Sequence, residues 1–410
     1  MKKYCIVLAS GSGSRFSVDV AKPIGLLCGW WTLMDSKTQT LQTPRLKQFS
    51  EGWTRWFDGG ENGKIHGKVM NAVRQSCEQH LSQKAGRVPF WDVLKFFAIL
   101  LVVYGHVSEA FGCKVLEPYI SNFRIGMNMP LFFIISGYFA AKTIERGDWR
   151  KLGRHLVGYF WPLAAVSVVF AVLSILFHVE GSGCGFIGYA GRRFLFAGWF
   201  LWCLAICFAI TFLCRRVASG WKFYLALCMV YGVLLIDMHV WHVGNTRAML
   251  PFFVVGVALS GWKSIWKDWR IGATCLLVYM VVVFLQGDIW KNGLSFYNSP
   301  ISWMAIVKNP NVIGFAAARL ANGIIGSIGI CWAVHCLLSK CKTLEVLAPF
   351  GTTTLGVYIL HQWILARLPC RGGGCWTVLI TAMLFVSCHL IVVSTRRSPL
   401  LRKFFWGEFK

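Results

Sequence analysis

Two ionisable side chains stand at opposite ends of an apolar run, Lys95 and His106 in "LKFFAILLVVYGH", residues 94–106. On an α-helix the eleven-residue step makes three turns plus about 20°, so the two share a face about 16 Å apart along the axis. Asp92 and Glu109 fall on the same broad side and extend the pair into a polar stripe. Such a stripe has to face protein or water. His106 lies well inside the run, and an imidazole exchanges a proton near neutral pH, so proton transfer is the chemistry it suggests. The other members have plainer readings as well. Asp92 and Lys95 sit near a polar border, where lysine snorkels and the two can pair at i, i+3. Glu109 falls in the headgroup region at the opposite end.

The elements that must hold these groups are membrane helices. Of the 410 residues 56% are hydrophobic, 15% aromatic and only 14% charged, which is too apolar for an ordinary soluble domain. From residue 93 onward apolar runs of about 16 to 23 residues recur, each long enough to cross a hydrocarbon core of roughly 30 Å as a helix. Ten are expected, over 92–111, 128–142, 156–178, 198–213, 222–238, 248–262, 271–286, 314–338, 350–367 and 375–395. The expected fold class is therefore an all-α integral membrane protein of about ten transmembrane helices. Nothing alternates as a β-barrel strand series does, and the first run comes too late for a cleaved signal peptide.

A net charge of +25 raises the question of a nucleic-acid partner, and its distribution answers it. Arg146, Arg150, Lys151 and Arg154 share one connection, Arg215, Arg216 and Lys222 a second, and Lys263, Lys267 and Arg270 a third. Alternate connections such as 239–247 and 287–313 are poorer in positive charge for their length. The positive-inside rule then places both termini in the cytoplasm, and the basic excess sets topology; no nucleic-acid partner is expected. The 16 cysteines form no CxxC pair and no zinc-type spacing, which points to small apolar fillers. Cys370 and Cys375, flanking "RGGG", are the one pair placed where an oxidising compartment would let a disulfide form.

Three segments taken together resemble integral-membrane acyltransferase family 3, whose members resemble polysaccharide O-acetyltransferases: "VPFWDVLKFFAILLVVYGH", "NMPLFFIISGYFA" and "WFLWCL". The family has a basic residue, ten positions and a histidine in its first helix, matched by Lys95 and His106 with lysine in place of the more usual arginine. Pro130 to Tyr138 match its "PLFFxxSGY" segment, and the resemblance runs from about residue 88 to 396. It implies a ten-helix core in a bacterial inner membrane, acetyl-CoA as donor substrate reached from the cytoplasm, and a cell-surface glycan or lipid-linked saccharide as acceptor. No bound cofactor or metal is expected. Acyl transfer to a hydroxyl needs a base, which a neutral histidine in a dry site supplies, so His106 is the expected base and Lys95 the group that steers the anionic donor. A two-step route in which His106 carries the acyl group stays open. Lysine offers a point charge where arginine offers a planar fork, so bidentate contacts at position 95 are in question.

Further candidates each have a second reading. Lys151 and Arg154 match a basic pair of the family and suit the phosphates of coenzyme A, yet topology alone would put charge there. Ser136 and Tyr138 are candidate substrate contacts, while Gly137 suits close helix packing. Trp199 in "GWFLWCL" matches a family position or belongs to an interfacial aromatic belt. His361 in the ninth run and Arg319 in the eighth are ionisable groups inside membrane segments and candidates to line a tunnel; a histidine bonded to a backbone carbonyl is the commoner outcome for His361. Asp237, His239 and His242 suit a solvated edge or an acceptor contact better than a metal.

The first residues read "MKKYCIVLASGSGSRFSVDVAKP". A short apolar strand entering a Gly/Ser turn with an arginine is a plausible phosphate cradle, and it resembles the signature of sugar-phosphate and cytidylyl nucleotidyltransferases, with Gly11, Gly13, Arg15 and Lys22 on nucleotide-binding positions. Ala21 stands where that pattern expects proline. The segment is read as a remnant over 1–23, either a fusion scar, a frameshifted neighbour or an early start codon with Met70 as the true start, or else a vestigial nucleotide-binding arm. The organisation expected is thus a loosely ordered segment over 1–87, a membrane domain over 88–396 and a basic cytoplasmic tail over 397–410. A secondary transporter of a sugar or acyl donor is the alternative to an acyltransferase, since a proton-coupled carrier also keeps histidine and carboxylates in its helices.

Overall fold

A computed structural model of the chain describes residues 88–111, 117–176, 185–236, 242–262, 267–285, 302–368 and 376–407. The chain divides into a unit over Met1–Val88 and one over Pro89–Lys410. The nucleotidyltransferase-like stretch with Gly11, Gly13, Arg15 and Lys22, together with Met70, Asp237, His239, Cys370 and Cys375, lies outside the described residues.

The secondary structure among the described residues of the second unit is all helical. Its elements are α1 (Pro89–Phe111), α2 (Glu117–Arg146), α3 (Trp149–Leu176), α4 (Gly185–Arg192), a π-helical turn (Arg193–Ala197), α5 (Trp199–Val217), α6 (Trp221–Leu234) and α7 (Val243–Leu259). There follow α8 (Trp269–Leu285), α9 (Trp303–Lys308), α10 (Asn311–Lys340), a 3-10 turn (Lys342–Leu347), α11 (Ala348–Gly351), α12 (Thr354–Leu365), α13 (Trp376–Arg397) and α14 (Pro399–Trp406). Among the described residues α1, α3, α5, α10 and α13 are long and apolar enough to cross a membrane, and the bent pair Lys342–Gly351 with α12 makes a sixth if it counts as one span. The shorter apolar helices α6, α7 and α8 accompany them. This is a multi-pass membrane fold.

α1 sits at its centre, packed against α2, α10, α11, α12 and α13, and that placement explains how a membrane helix tolerates a polar stripe. Between α2 and α7, which share the most extensive helix contact, the backbones touch. A Cβ on Gly137 would overlap the carbonyl of Phe253, and one on Gly256 would overlap the carbonyl of Ile134. Small residues serve here because apolar area gives no net attraction between helices in lipid, so close packing has to hold them together.

One expectation needs correction. The run over 350–367 does not form one helix: it breaks between α11 and α12, with a 64° bend. In "FGTTT" the hydroxyls of Thr352, Thr353 and Thr354 donate to the carbonyls of Pro349, Phe350 and Gly351 at 2.7, 2.8 and 2.6 Å. These short side chains compete for backbone acceptors at the bend. Within the basic tail, α14 packs back on the bundle. Ser398 caps α14 by accepting from the Leu401 N–H, and Trp406 is buried, its Nε1 donating to Thr395 Oγ1 at 3.1 Å. Trp161 of α3 donates to the Phe404 carbonyl at 2.8 Å.

Candidate active site

His106 lies five residues before the end of α1. Its Nδ1 is 3.4 Å from Glu109 Oε2, one turn further along the helix. Glu109 Oε1 in turn accepts from Arg124 Nη2 at 2.9 Å, across from α2. Gly105 gives the arginine room, because a Cβ there would overlap its guanidinium. On the other side of the ring, His106 Nε2 is 3.2 Å from Gln362 Nε2 of α12. An amide N–H must donate, so this contact fits an Nε2 that keeps its lone pair while Nδ1–H points at the carboxylate. The chain Arg124–Glu109–His106–Gln362 thus fixes both the orientation and the tautomer of the imidazole.

His361 stands beside it, its ring centroid 5.3 Å from that of His106. It is fully buried, and its Nδ1 is 2.9 Å from the Val357 carbonyl one turn back. One nitrogen therefore has the backbone contact common for buried histidines, while Nε2 has no partner among the described residues. A small cleft, partly open to the surroundings, lies at this level. Ser167, Phe170, Arg193, Tyr358 and Gln362 are among its lining residues. Tyr358 closes one side: its hydroxyl accepts from the Phe200 N–H at 3.3 Å and lies 3.4 Å from the Ala197 carbonyl. Trp199 is half-buried beside Phe200 at the start of α5.

The other end of α1 carries a separate group. Lys95 pairs with buried Asp92 at 3.3 Å, and its ammonium lies 5.3 Å from the centre of the Phe139 ring. Tyr138 packs on Trp91 at 4.8 Å. Lys151 and Arg154 lie in the first turns of α3 at this end of the bundle. Lys151 is held by Asp148, which accepts from its backbone N–H at 3.0 Å and faces its ammonium at 3.8 Å, while Arg154 is exposed. The structure thus splits the polar stripe into two pairs, Asp92 with Lys95 and Glu109 with His106, and brings His361 to the second. Ser136 is half-buried on α2, and Arg319 is half-buried on α10. His242 caps α7 in the left-handed region and its Nε2 lies 2.8 Å from the Leu195 carbonyl of the π turn. Among the described residues no group of His, Cys, Asp and Glu could hold a metal, and the nine cysteines there are free thiols.

Three residues that the sequence reading passed over belong to this site: Gln362, Arg124 and Arg193. Each left a trace in the sequence. Gln362 follows His361 inside an apolar run, Arg124 precedes "GMNMPLFF", and Arg193 closes "GRR" in a connection on the side expected to be poor in positive charge.

Fold and site together define a multi-pass membrane protein in which a histidine, His106, touches a glutamine that lines a small cleft among the helices. The chain belongs to acyltransferase family 3, whose model, described as an acyltransferase domain, matches residues 88–368. It is similar to the nodulation protein NolL of Sinorhizobium fredii (strain NBRC 101917 / NGR234), with 30% identity over 295 residues, covering 66% of this chain and 76% of that protein. No solved structure matches the chain. The family match begins at residue 88 and gives no support to a nucleotidyltransferase signature before it.

Proposed function

We propose that the protein is a membrane O-acyltransferase that moves an acetyl or other short acyl group from acyl-CoA to a hydroxyl of a cell-surface glycan or lipid-linked saccharide. His106 is the general base. The observation that carries this reading is the position of its imidazole, with a carboxylate on the Nδ1 side and a cleft-lining amide on the Nε2 side. An acceptor hydroxyl that displaces the Gln362 amide meets the Nε2 lone pair. As its proton passes to Nε2, the hydroxyl oxygen attacks the thioester carbonyl, the carbon–sulfur bond breaks, and the departing thiolate takes the proton from the imidazolium. Glu109 stabilises the imidazolium in between. In the two-step alternative Nε2 carries the acyl group between donor and acceptor.

Lys95 steers the anionic donor from the cytoplasmic end of α1, with Lys151 and Arg154 available to its phosphates. In this reading the chain crosses the inner membrane of a bacterium ten times with both termini in the cytoplasm. The test is transfer of radiolabelled acetyl from acetyl-CoA to endogenous glycan in membranes bearing the wild type or His106→Ala, with insertion checked in both. Label on glycan with the wild type alone supports the assignment. Equal labelling removes His106 from the mechanism, and no labelling with any acceptor brings the transporter reading forward.

A further inference from the structure

The proposed transfer leaves a second group of side chains on the cleft without a task. Arg193, in the π-helical turn, lines the cleft together with Gln362, and Gln362 touches His106. Its guanidinium lies 5.6 Å from the Phe170 ring centroid and 5.8 Å from that of Tyr189. Phe170 stacks on Trp363 with centroids 4.1 Å apart and planes within 2°. Arg367 lies 4.4 Å from the Trp363 ring, and donates to Ser174 Oγ at 3.4 Å and to the Trp363 carbonyl at 3.3 Å. The hydroxyl of Tyr189 has Ser174, Arg367 and Arg193 for neighbours, each of which favours its ionised form.

Two guanidiniums are thus gathered around one hydroxyl and one aromatic pair. The ion pairs among the described residues are made by other cations, so neither arginine has a carboxylate partner there. Like charges brought this close repel unless an anion joins them, and a guanidinium fork is shaped to grip two oxygens of one anionic group. The cluster affects Tyr189 in the same sense. Burial opposes its ionisation, but Ser174, Arg367 and Arg193, the last also through its charge, outweigh burial and bring the hydroxyl down to about 8.

Resting on the acyltransferase reading, we infer that Arg193 and Arg367, with Tyr189 and Ser174, form an anion subsite for a carboxylate or phosphate carried by the acceptor saccharide. An acceptor anchored there lies one side chain, Gln362, away from His106. The enzyme then prefers an acidic or phosphate-bearing saccharide to its neutral counterpart.

The test measures binding to the full chain in phosphatidylcholine nanodiscs with no acyl donor present, so it reads the subsite whether or not transfer occurs. Digalacturonate against digalactose probes a carboxylate, and N-acetylglucosamine 1-phosphate against N-acetylglucosamine probes a phosphate. One charged probe is expected to bind about 10-fold tighter than its neutral partner, and Arg193→Gln and Arg367→Gln each to lose about 10-fold for that probe alone. Arg193→Lys should recover part of the loss, and Arg215→Gln, at the far end of α5, should change nothing. Equal binding of charged and neutral probes, or arginine variants that bind as the wild type does, overturns the inference. So does affinity for phosphatidylglycerol added to the nanodiscs with none for either charged sugar. Transfer of labelled acetyl to the same probes separates the two readings. Charged-probe binding without transfer sinks the acyltransferase and keeps the subsite; transfer with no preference for charge does the reverse.

Discussion

Replacing Glu109 by glutamine keeps the side chain's size and removes its charge. The carboxylate lies 3.4 Å from His106 Nδ1. Two unit charges at that separation attract by about 5 kcal/mol at an effective dielectric of 20 and by about 1.2 kcal/mol in bulk water. The Glu109 side chain is 57% exposed and is shared with Arg124 at 2.9 Å, so the stabilisation it gives an imidazolium formed during transfer belongs at the low end, about 1–2 kcal/mol. That corresponds to a fall in kcat of about 10-fold. Glutamine still offers a carbonyl to Nδ1–H, so the tautomer survives, and the loss stays below the 10²–10⁴-fold or so expected when the base itself is removed. The assay is release of the CoA thiol together with label on the acceptor, using purified, correctly inserted protein. KM for acyl-CoA should not move, because the carboxylate lies at the opposite end of α1 from Lys95. A kcat within about twofold of wild type would refute the orienting role of Glu109. A change confined to KM would refute it equally.

Gly105→Ala forces the Arg124 guanidinium away from Glu109; thermal unfolding should change little while kcat falls by several-fold, and the reverse pattern would show a purely structural glycine. Gly137→Val drives a side chain into the Phe253 carbonyl, which backbone cannot vacate, so stability should drop by about 3 kcal/mol or more, read as loss of monodisperse protein or a lower Tm. Lys95→Gln should raise KM for acyl-CoA with a smaller effect on kcat, whereas an unchanged KM would leave Lys95 as a structural partner of Asp92. Tyr189 is depressed to about 8 in the folded protein, so its ionised form favours folding, and the stability it adds appears as pH rises through 8 towards the unfolded value near 10. The Tm gap between wild type and Tyr189→Phe should therefore widen between about pH 7.5 and 9.5, and a constant gap would contradict the cluster around its hydroxyl.

The helical character of the chain was legible because apolar runs carry a strong, length-defined signal, and His106 was legible because an imidazole in such a run has few structural excuses. Helix ends were less so. α2 begins at Glu117, although the expected run begins at 128, because the polar turns before Asn128 are helical without being apolar. The break before α12 was missed because three threonines in a row read as ordinary membrane residues until their hydroxyls are seen to take backbone acceptors. Arg124, Gln362 and Arg193 reach the site from three different elements, α2, α12 and the π turn. A single sequence gives no means of knowing that these elements meet, so spacing along α1 singled out His106 and Glu109 but not the partners from other helices.

The most direct test of the central claim is one turnover of purified protein mixed with labelled acetyl-CoA and a saccharide acceptor, for wild type, His106→Ala and His106→Gln, each shown to be folded and inserted. The account predicts that wild type releases CoA in step with acetyl ester formed on the acceptor, while both variants bind acetyl-CoA with unchanged affinity and form ester at least about 100-fold more slowly. Ester formation by either variant at the wild-type rate would contradict it.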